Sequence, residues 1–418
     1  MAEITPQPSG WMVDRGAGVF LMQAGFAMRE AGIVQSKNAT SSLIKVVMSA
    51  AVGAICFWVT GYALAFGEDR GGFIGVGGFA GGTQAGAVSD DHEDWLFQWA
   101  YAVLATSAAA GSLAERTKVA GFVIYVVFLT AFIYPVVAHW GWGQGWLSAW
   151  GAFPDDSGNV RPLFTYDERS NGMIDFAGSG VVHVVGGFGG LVGAIVVGPR
   201  VGRFCPETRC AFDLTSGNKC FQTVGTLIIW YAWYCNNCGK LLHLASKGYE
   251  NHGRLAGKVA LTTTLAASSG TAVCALICAL VERELDLTLI LNGSLAGLVG
   301  VTASCIVVEP WHGLVIGAIS SVVYYGGRKL LFLHRIDDPC DASVIHGFCG
   351  VWGLWATGIF CNDKNVIMPL VPPPLECGSH LDTCIDCDIG PMVSKRFGLL
   401  TYLQHVSSAS KLKCLTTM

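Results

Sequence analysis

The sequence predicts an all-α integral membrane protein of about eleven transmembrane helices: two inverted five-helix repeats followed by a weak final helix. Three observations lead there. Composition is the first: of 418 residues, 52% are hydrophobic and only 13% charged, against about 25% charged in ordinary soluble domains. So little charge cannot cover a surface against water, and the chain needs lipid as solvent. The second is a series of continuous apolar runs of about 20 residues, long enough to cross a bilayer and unlike the two-residue alternation of a lipid-facing β-barrel. The third is a repeated pattern: Asp, seven residues, His, three residues, Gly, two residues, Gly. It occurs as Asp175, His183, Gly187, Gly190, and again 163 residues later as Asp338, His346, Gly350, Gly353.

The predicted spans lie near 16–34, 41–67, 95–115, 118–139, 173–198, 221–245, 256–281, 287–308, 310–327 and 341–361. An eleventh candidate near 392–408 is short and polar. The first span carries Asp14, Arg15, Arg29 and Glu30 at its edges. Fifty-four glycines suit membrane helices, whose backbones approach closely where side chains are small. Loops after spans one, three, five and nine are basic, with Lys37, then Arg116 and Lys118, then Arg200 and Arg203, then Arg328 and Lys329. Loops after spans two, four and ten are acidic, with Asp90 and Asp91, Asp155 and Asp156, Asp382 and Asp386. The positive-inside rule therefore places the N-terminus outside; only the loop holding Lys247, Arg254 and Lys258 runs against it. The matched histidines fall on spans five and ten. Repeats of five spans are inserted in opposite senses, the inverted-repeat design of transport proteins with a site at the midplane.

Within these runs the polar exceptions carry the functional reading. An ionisable side chain in hydrocarbon is costly and marks a functional site by default. A single buried histidine favours a packing role; the matched pair shifts the reading to function. Two neutral imidazoles side by side can share a proton, each having one donor and one acceptor nitrogen. Asp175 is expected about 12 Å along the same helix from His183, at about 1.5 Å per residue, near the membrane face. Asp341 is expected to cap or pair. Most of the cysteines, such as Cys274, Cys305 and Cys349, lie in apolar runs as small hydrophobes. Cys377, Cys384 and Cys387 share a polar loop, where pairing on an oxidising side is open and a zinc site lacks a second ligand pair. Asn38 and Asn292 fit the glycosylation pattern but lie in or beside spans. No removable signal peptide is visible, and no nucleophile–base set or phosphate loop points to an enzyme.

IDFAGSGVVHVVGG at 174–187, NHGRLAGKVALTTTLAA at 251–267, LNGSLAGLVGVTASCIVVEPW at 291–311 and IDDPCDASVIHGFCGVWG at 336–353 together resemble the ammonium transporter/methylammonium permease/Rhesus family, ammonium transporter branch. The resemblance covers 16–361 as one membrane domain, with repeats at about 16–198 and 221–361. It implies eleven helices, an outside N-terminus, a plasma-membrane homotrimer, ammonium or ammonia as substrate, and no cofactor, metal or nucleic-acid partner. It also implies the route: NH₄⁺ recruited at an outer vestibule, deprotonated, and NH₃ conducted through an apolar pore lined by His183 and His346. Asp175 then supports the recruitment site from behind, Trp142 is the vestibule tryptophan, and Tyr101 stands where the family has its outer gating phenylalanine. Taken alone, Trp142 reads equally as an interfacial belt aromatic. Dehydrating NH₄⁺ in an apolar pore costs far more than passing NH₃, and aromatic faces attract a cation.

Two departures bear on the site. WYAWYCNNCGK at 230–240 puts Asn236 at the inner gating-phenylalanine position and Lys240 at the serine that helps hold ammonium. Loss of the ring is expected to admit water, and a lysine at about 4 Å would repel NH₄⁺ by about 1 kcal/mol in water and more in lower dielectric, unless it snorkels outward. After Cys361, residues 362–418 read as an outer loop and a truncated or divergent last helix, so the family's tail-mediated gating is not expected. The departures keep open an ammonium sensor of the same fold, and a neutral NH₃ gas channel is a third reading.

Overall fold

The computed structural model describes residues 8–82, 92–148, 153–154, 160–161, 172–205, 210–212, 214, 217–241 and 252–361. The outer-loop cysteines and the eleventh candidate helix lie outside these. Each of the ten predicted spans is occupied by a helix. In chain order they are α1 (Pro8–Phe20) with α2 (Met22–Ile33), α3 (Ser36–Cys56) running through a wide π-type turn into α4 (Tyr62–Phe66), α5 (His92–Ala110), and α6 (Val119–Phe128) running on into α7 (Tyr134–Gly141). There follow α8 (Val185–Val197), α9 (Lys219–Gly239), α10 (His252–Ile277), α11 (Leu287–Thr302), α12 (Pro310–Leu333) and α13 (Cys349–Phe360). Both α8 and α13 are entered through π-type turns, at Ser179–Val184 and Ser343–Phe348. Among the described residues, five helical segments are by themselves long and apolar enough to cross a membrane: Ser36–Phe66, Val119–Gly141, Ser179–Val197, Gly253–Glu282 and Ser343–Phe360.

The outward faces of these helices are apolar. Val192, Ile195 and Val196 on α8, Ile124 and Phe128 on α6, and Leu276 on α10 are all exposed, which is where lipid replaces water as the favourable contact. Inside, small residues set the spacing. A Cβ on Gly317 of α12 would lie 2.0 Å from the Ala266 carbonyl oxygen, and one on Gly297 of α11 2.2 Å from the same atom. Two helices, α11 and α12, thus converge on one turn of α10, the close packing that the glycine content foretold.

Polar side chains cluster at the end of α8. Arg200, just beyond that helix, donates to Asp337 from Nε (2.8 Å), Nη2 (3.0 Å) and its backbone N–H (2.9 Å), and also pairs with Glu115. Arg116 adds Nη1 contacts to the Gly198 carbonyl (2.6 Å) and the Asp337 carbonyl (2.8 Å). These bonds tie the exit of α8 to the chain entering the π-type turn before α13. Burial pushes the Asp337 carboxyl up, but the Arg200 hydrogen bonds outweigh it and hold the group below its ordinary value. Its stabilising contribution is therefore complete above the unfolded carboxylate pKa of about 3.9 and fades as pH falls through the depressed folded value. Asp337→Ala removes one partner of this buried pair, a change that typically costs about 3–5 kcal/mol. A lower unfolding midpoint in detergent at neutral pH is expected, with the difference from the parent shrinking toward pH 3.

Candidate functional site

Each histidine is delivered by the same local device. The chain from Gly172 to Gly178 is not helical, and Gly178 takes φ 103°, a left-handed conformation that suits glycine. That turn lets the Asp175 carboxylate fold back over the start of the next helix. It accepts from the N–H groups of Gly178 (3.2 Å), Gly180 (2.9 Å) and Val181 (2.8 Å), donors that have no partner within a helix end. In the second copy Asp338 accepts from the N–H groups of Ala342 (3.0 Å) and Ser343 (2.7 Å) and from the Ser343 hydroxyl. The aspartates of the repeated pattern are thus helix caps. This corrects one expectation: Asp175 does not lie on the helix of His183, which starts only at Ser179, so helical rise does not measure their separation. Asp341 pairs as expected, accepting from Tyr324 (2.7 Å) and Asn292 (3.0 Å) and meeting Arg328 at 3.3 Å.

The pattern's glycines bring the two histidine helices together. A Cβ on Gly187 would lie 2.1 Å from the Gly347 nitrogen, and one on Gly350 2.6 Å from the Ser179 carbonyl oxygen. The two elements therefore run antiparallel with backbones in contact. Between them His183 and His346 are both buried, Nδ1 to Nδ1 at 3.2 Å, with ring centroids 5.1 Å apart and planes 24° apart. Two facing Nδ1 atoms make one hydrogen bond only if one ring carries its proton there and the other carries its own on Nε2. Such a neutral pair offers a lone pair at one end and an N–H at the other. The His183 Nε2 is buried and has no partner among the described residues. Aromatic rings flank the pair: Trp233 stacks on His183 at 5.0 Å and Phe26 lies 5.9 Å from His346.

Beyond Trp233 along α9 stand the divergent positions. Tyr101 and Trp142 pack edge-on at 5.3 Å. The Trp142 indole N–H donates to the Asp175 carbonyl (2.7 Å) and the Tyr101 hydroxyl to the Asn236 carbonyl (2.8 Å), so both rings are fixed by backbone. Asn236 is fully buried; its amide donates to the Ala177 carbonyl (3.3 Å) and to Asn237 (3.1 Å), while its Oδ1 has no partner among the described residues. Lys240 does not snorkel away. Its Nζ lies 3.5 Å from the Trp142 ring centroid and 5.3 Å from that of Tyr101.

The residues singled out in the sequence fall into two contact groups: His183 with His346, and Tyr101, Trp142, Asp175, Asn236 and Lys240 around one another, with Trp233 on α9 stacked on His183. Sequence reasoning missed Phe26 and Trp233, whose apolar rings in apolar helices look like any packing residue. It also missed the buried bond from Arg29 to Asn292, which gives that asparagine an internal role. Removing the Asp175 carboxylate strands three N–H groups. Asp175→Ala is expected to lower stability by at least the roughly 0.5–2 kcal/mol of a lost cap, with Asp175→Asn, which keeps one acceptor oxygen, falling between. Thermal unfolding in detergent checks the order.

Buried polar pairs inside a lipid-facing helical bundle define a polytopic integral membrane protein. Residues 10–383 match the Ammonium Transporter Family, and the chain belongs to that family. It is 40% identical over 357 residues to ammonium transporter 1 member 3 of Solanum lycopersicum, covering 84% of this chain and 74% of that one. It is 40% identical over 339 residues to ammonium transporter 1 member 1 of Arabidopsis thaliana, covering 80% and 65%. The chain thus spans roughly two thirds to three quarters of these relatives. Among solved structures it resembles a protein described as a sensor Amt protein, with TM-score 0.74, 29% identity, and 86% and 84% of the two chains covered. Mep2 of Saccharomyces cerevisiae gives TM-score 0.72 and 27% identity, covering 88% and 78%.

Proposed function

We propose that this chain carries ammonium across a membrane. NH₄⁺ is drawn to the Trp142 and Tyr101 faces, returns its proton to solvent water at the outer mouth (NH₄⁺ + H₂O → NH₃ + H₃O⁺), and passes inward as NH₃ along the His183–His346 pair. The single observation behind this reading is the buried Nδ1-to-Nδ1 contact at 3.2 Å, with an unpartnered Nε2 on His183 available to a passing donor. Holding a bare monovalent cation in a dry, low-dielectric interior costs on the order of tens of kcal/mol, whereas a neutral molecule that exchanges hydrogen bonds with the pair pays far less. K⁺ has no proton to leave behind, so deprotonation serves as the selectivity filter. Family membership, the two copies of the capped histidine element, and their antiparallel packing all support an inverted-repeat architecture. The basic loops after the odd-numbered spans support an outside N-terminus, and family membership supports a plasma-membrane homotrimer. No covalent step is needed.

Uptake of radiolabelled methylammonium by cells lacking their own ammonium transporters tests the reading. Uptake above that of cells without the protein is expected; no uptake under any condition overturns it. A second reading, an ammonium sensor with little flux, is favoured by the position of Lys240 on Trp142 and by likeness to the sensor Amt protein. It predicts saturable binding without uptake.

A further inference from the structure

The ring face that a recruited cation would use is already covered by a cation of the chain's own. Lys240 follows α9 directly and is buried. Its ammonium group stands 3.5 Å from the Trp142 centroid and 5.3 Å from Tyr101, and among the described residues it forms no ion pair or hydrogen bond that would hold it there. The rings do so instead, through their quadrupoles, an attraction that grows when the cation is out of water. Asp94 and Asp175 add longer-range attraction, each already engaged elsewhere: Asp94 by the Tyr62 hydroxyl at 2.8 Å and Asp175 by backbone N–H groups. The Trp142 ring is held at its edge by the indole N–H bond to the Asp175 carbonyl, which opposes its turning to offer a fresh face.

We propose that Lys240 is a tethered occupant of the aromatic cation site, a primary ammonium that competes with free ammonium-type cations for the faces of Trp142 and Tyr101. The proposal rests on the reading above that these rings receive the substrate cation. A tethered group competes at an effective concentration in the millimolar range or higher, so a free cation must both displace it and tolerate its charge nearby. Weak external binding and low flux follow in the parent chain, and both are released by removing the ammonium.

The test is calorimetric titration of the purified full chain with methylammonium chloride. It compares the parent with Lys240→Ser, Lys240→Ala and Lys240→Arg, each checked for an unchanged elution profile and unfolding midpoint. The two small replacements are expected to tighten binding by about tenfold or more, equivalent to about 1.4 kcal/mol, whereas Lys240→Arg, which keeps a cation on the rings, is expected to gain nothing. Adding Trp142→Leu to Lys240→Ser is expected to abolish the gain. Equal affinity in parent and Lys240→Ser overturns the proposal, as does a gain that survives Trp142→Leu or appears equally in Lys240→Arg. Uptake into vesicles separates the two readings: tighter Trp142-dependent binding without flux keeps the occupant and removes conduction.

Discussion

Replacing either His183 or His346 with alanine is expected to cut methylammonium flux by about 5- to 150-fold, and replacing both is expected to cost little more than replacing one. The two rings share one hydrogen bond. With Nδ1 facing Nδ1 at 3.2 Å, neither ring can present its donor and acceptor correctly without the other to fix its tautomer. Truncating one leaves the other's Nδ1 buried without a partner, and an unsatisfied buried polar group costs about 1–3 kcal/mol. If a passing molecule loses a contact of that size at its barrier, the flux falls by the stated range. Groups that act as a unit are non-additive when deleted. Uptake by the two single variants and the double variant measures this directly; two independent, multiplying losses would mean that the histidines do not work together.

The second large effect is expected from Gly187→Ala. The three atoms nearest the added Cβ would all be backbone of the facing element: the Gly347 nitrogen at 2.1 Å, its Cα at 2.5 Å and the His346 carbonyl carbon at 2.8 Å. Backbone cannot swing away as a side chain can, so the two histidine helices must part. Overpacking of this kind costs about 1–3 kcal/mol or more, and the separation also breaks the imidazole contact. Gly347→Ala makes the contrast, because its Cβ would first meet the Phe188 ring at 3.2 Å, an obstacle that can rotate. A markedly lower unfolding midpoint and lost uptake are therefore expected for Gly187→Ala, and a milder change for Gly347→Ala. Similar unfolding midpoints for the two would contradict the packing.

Much of the fold was legible because lipid imposes a simple demand. Any helix facing hydrocarbon must be apolar over bilayer length, and hydropathy alone therefore located helices at all ten predicted spans. The start of the fifth was misjudged. Met173–Phe176 are apolar enough to extend a hydrophobic run, and nothing in their composition reveals that Gly178 turns the chain so that Asp175 can cap it. The histidines were legible because they recur with the same companions, and those companions proved to have physical roles: aspartate as cap, glycine as contact surface. Trp233 and Phe26 were not, since a ring beside an imidazole and a ring facing lipid share the same sequence signature. Lys240 was seen as an anomaly, but the direction of its side chain depends on how α9 is rotated against Trp142. That rotation is set by tertiary packing and leaves no mark in the local sequence.

The hydrogen bond between two imidazoles in the interior of the bundle is open to direct measurement. Solid-state NMR of the protein in lipid bilayers, with ¹⁵N-labelled histidine, is predicted to show a through-bond correlation between one protonated and one unprotonated Nδ1. That signal should vanish in both His183→Ala and His346→Ala. Finding no correlated pair, or a pair that survives either substitution, would contradict the account.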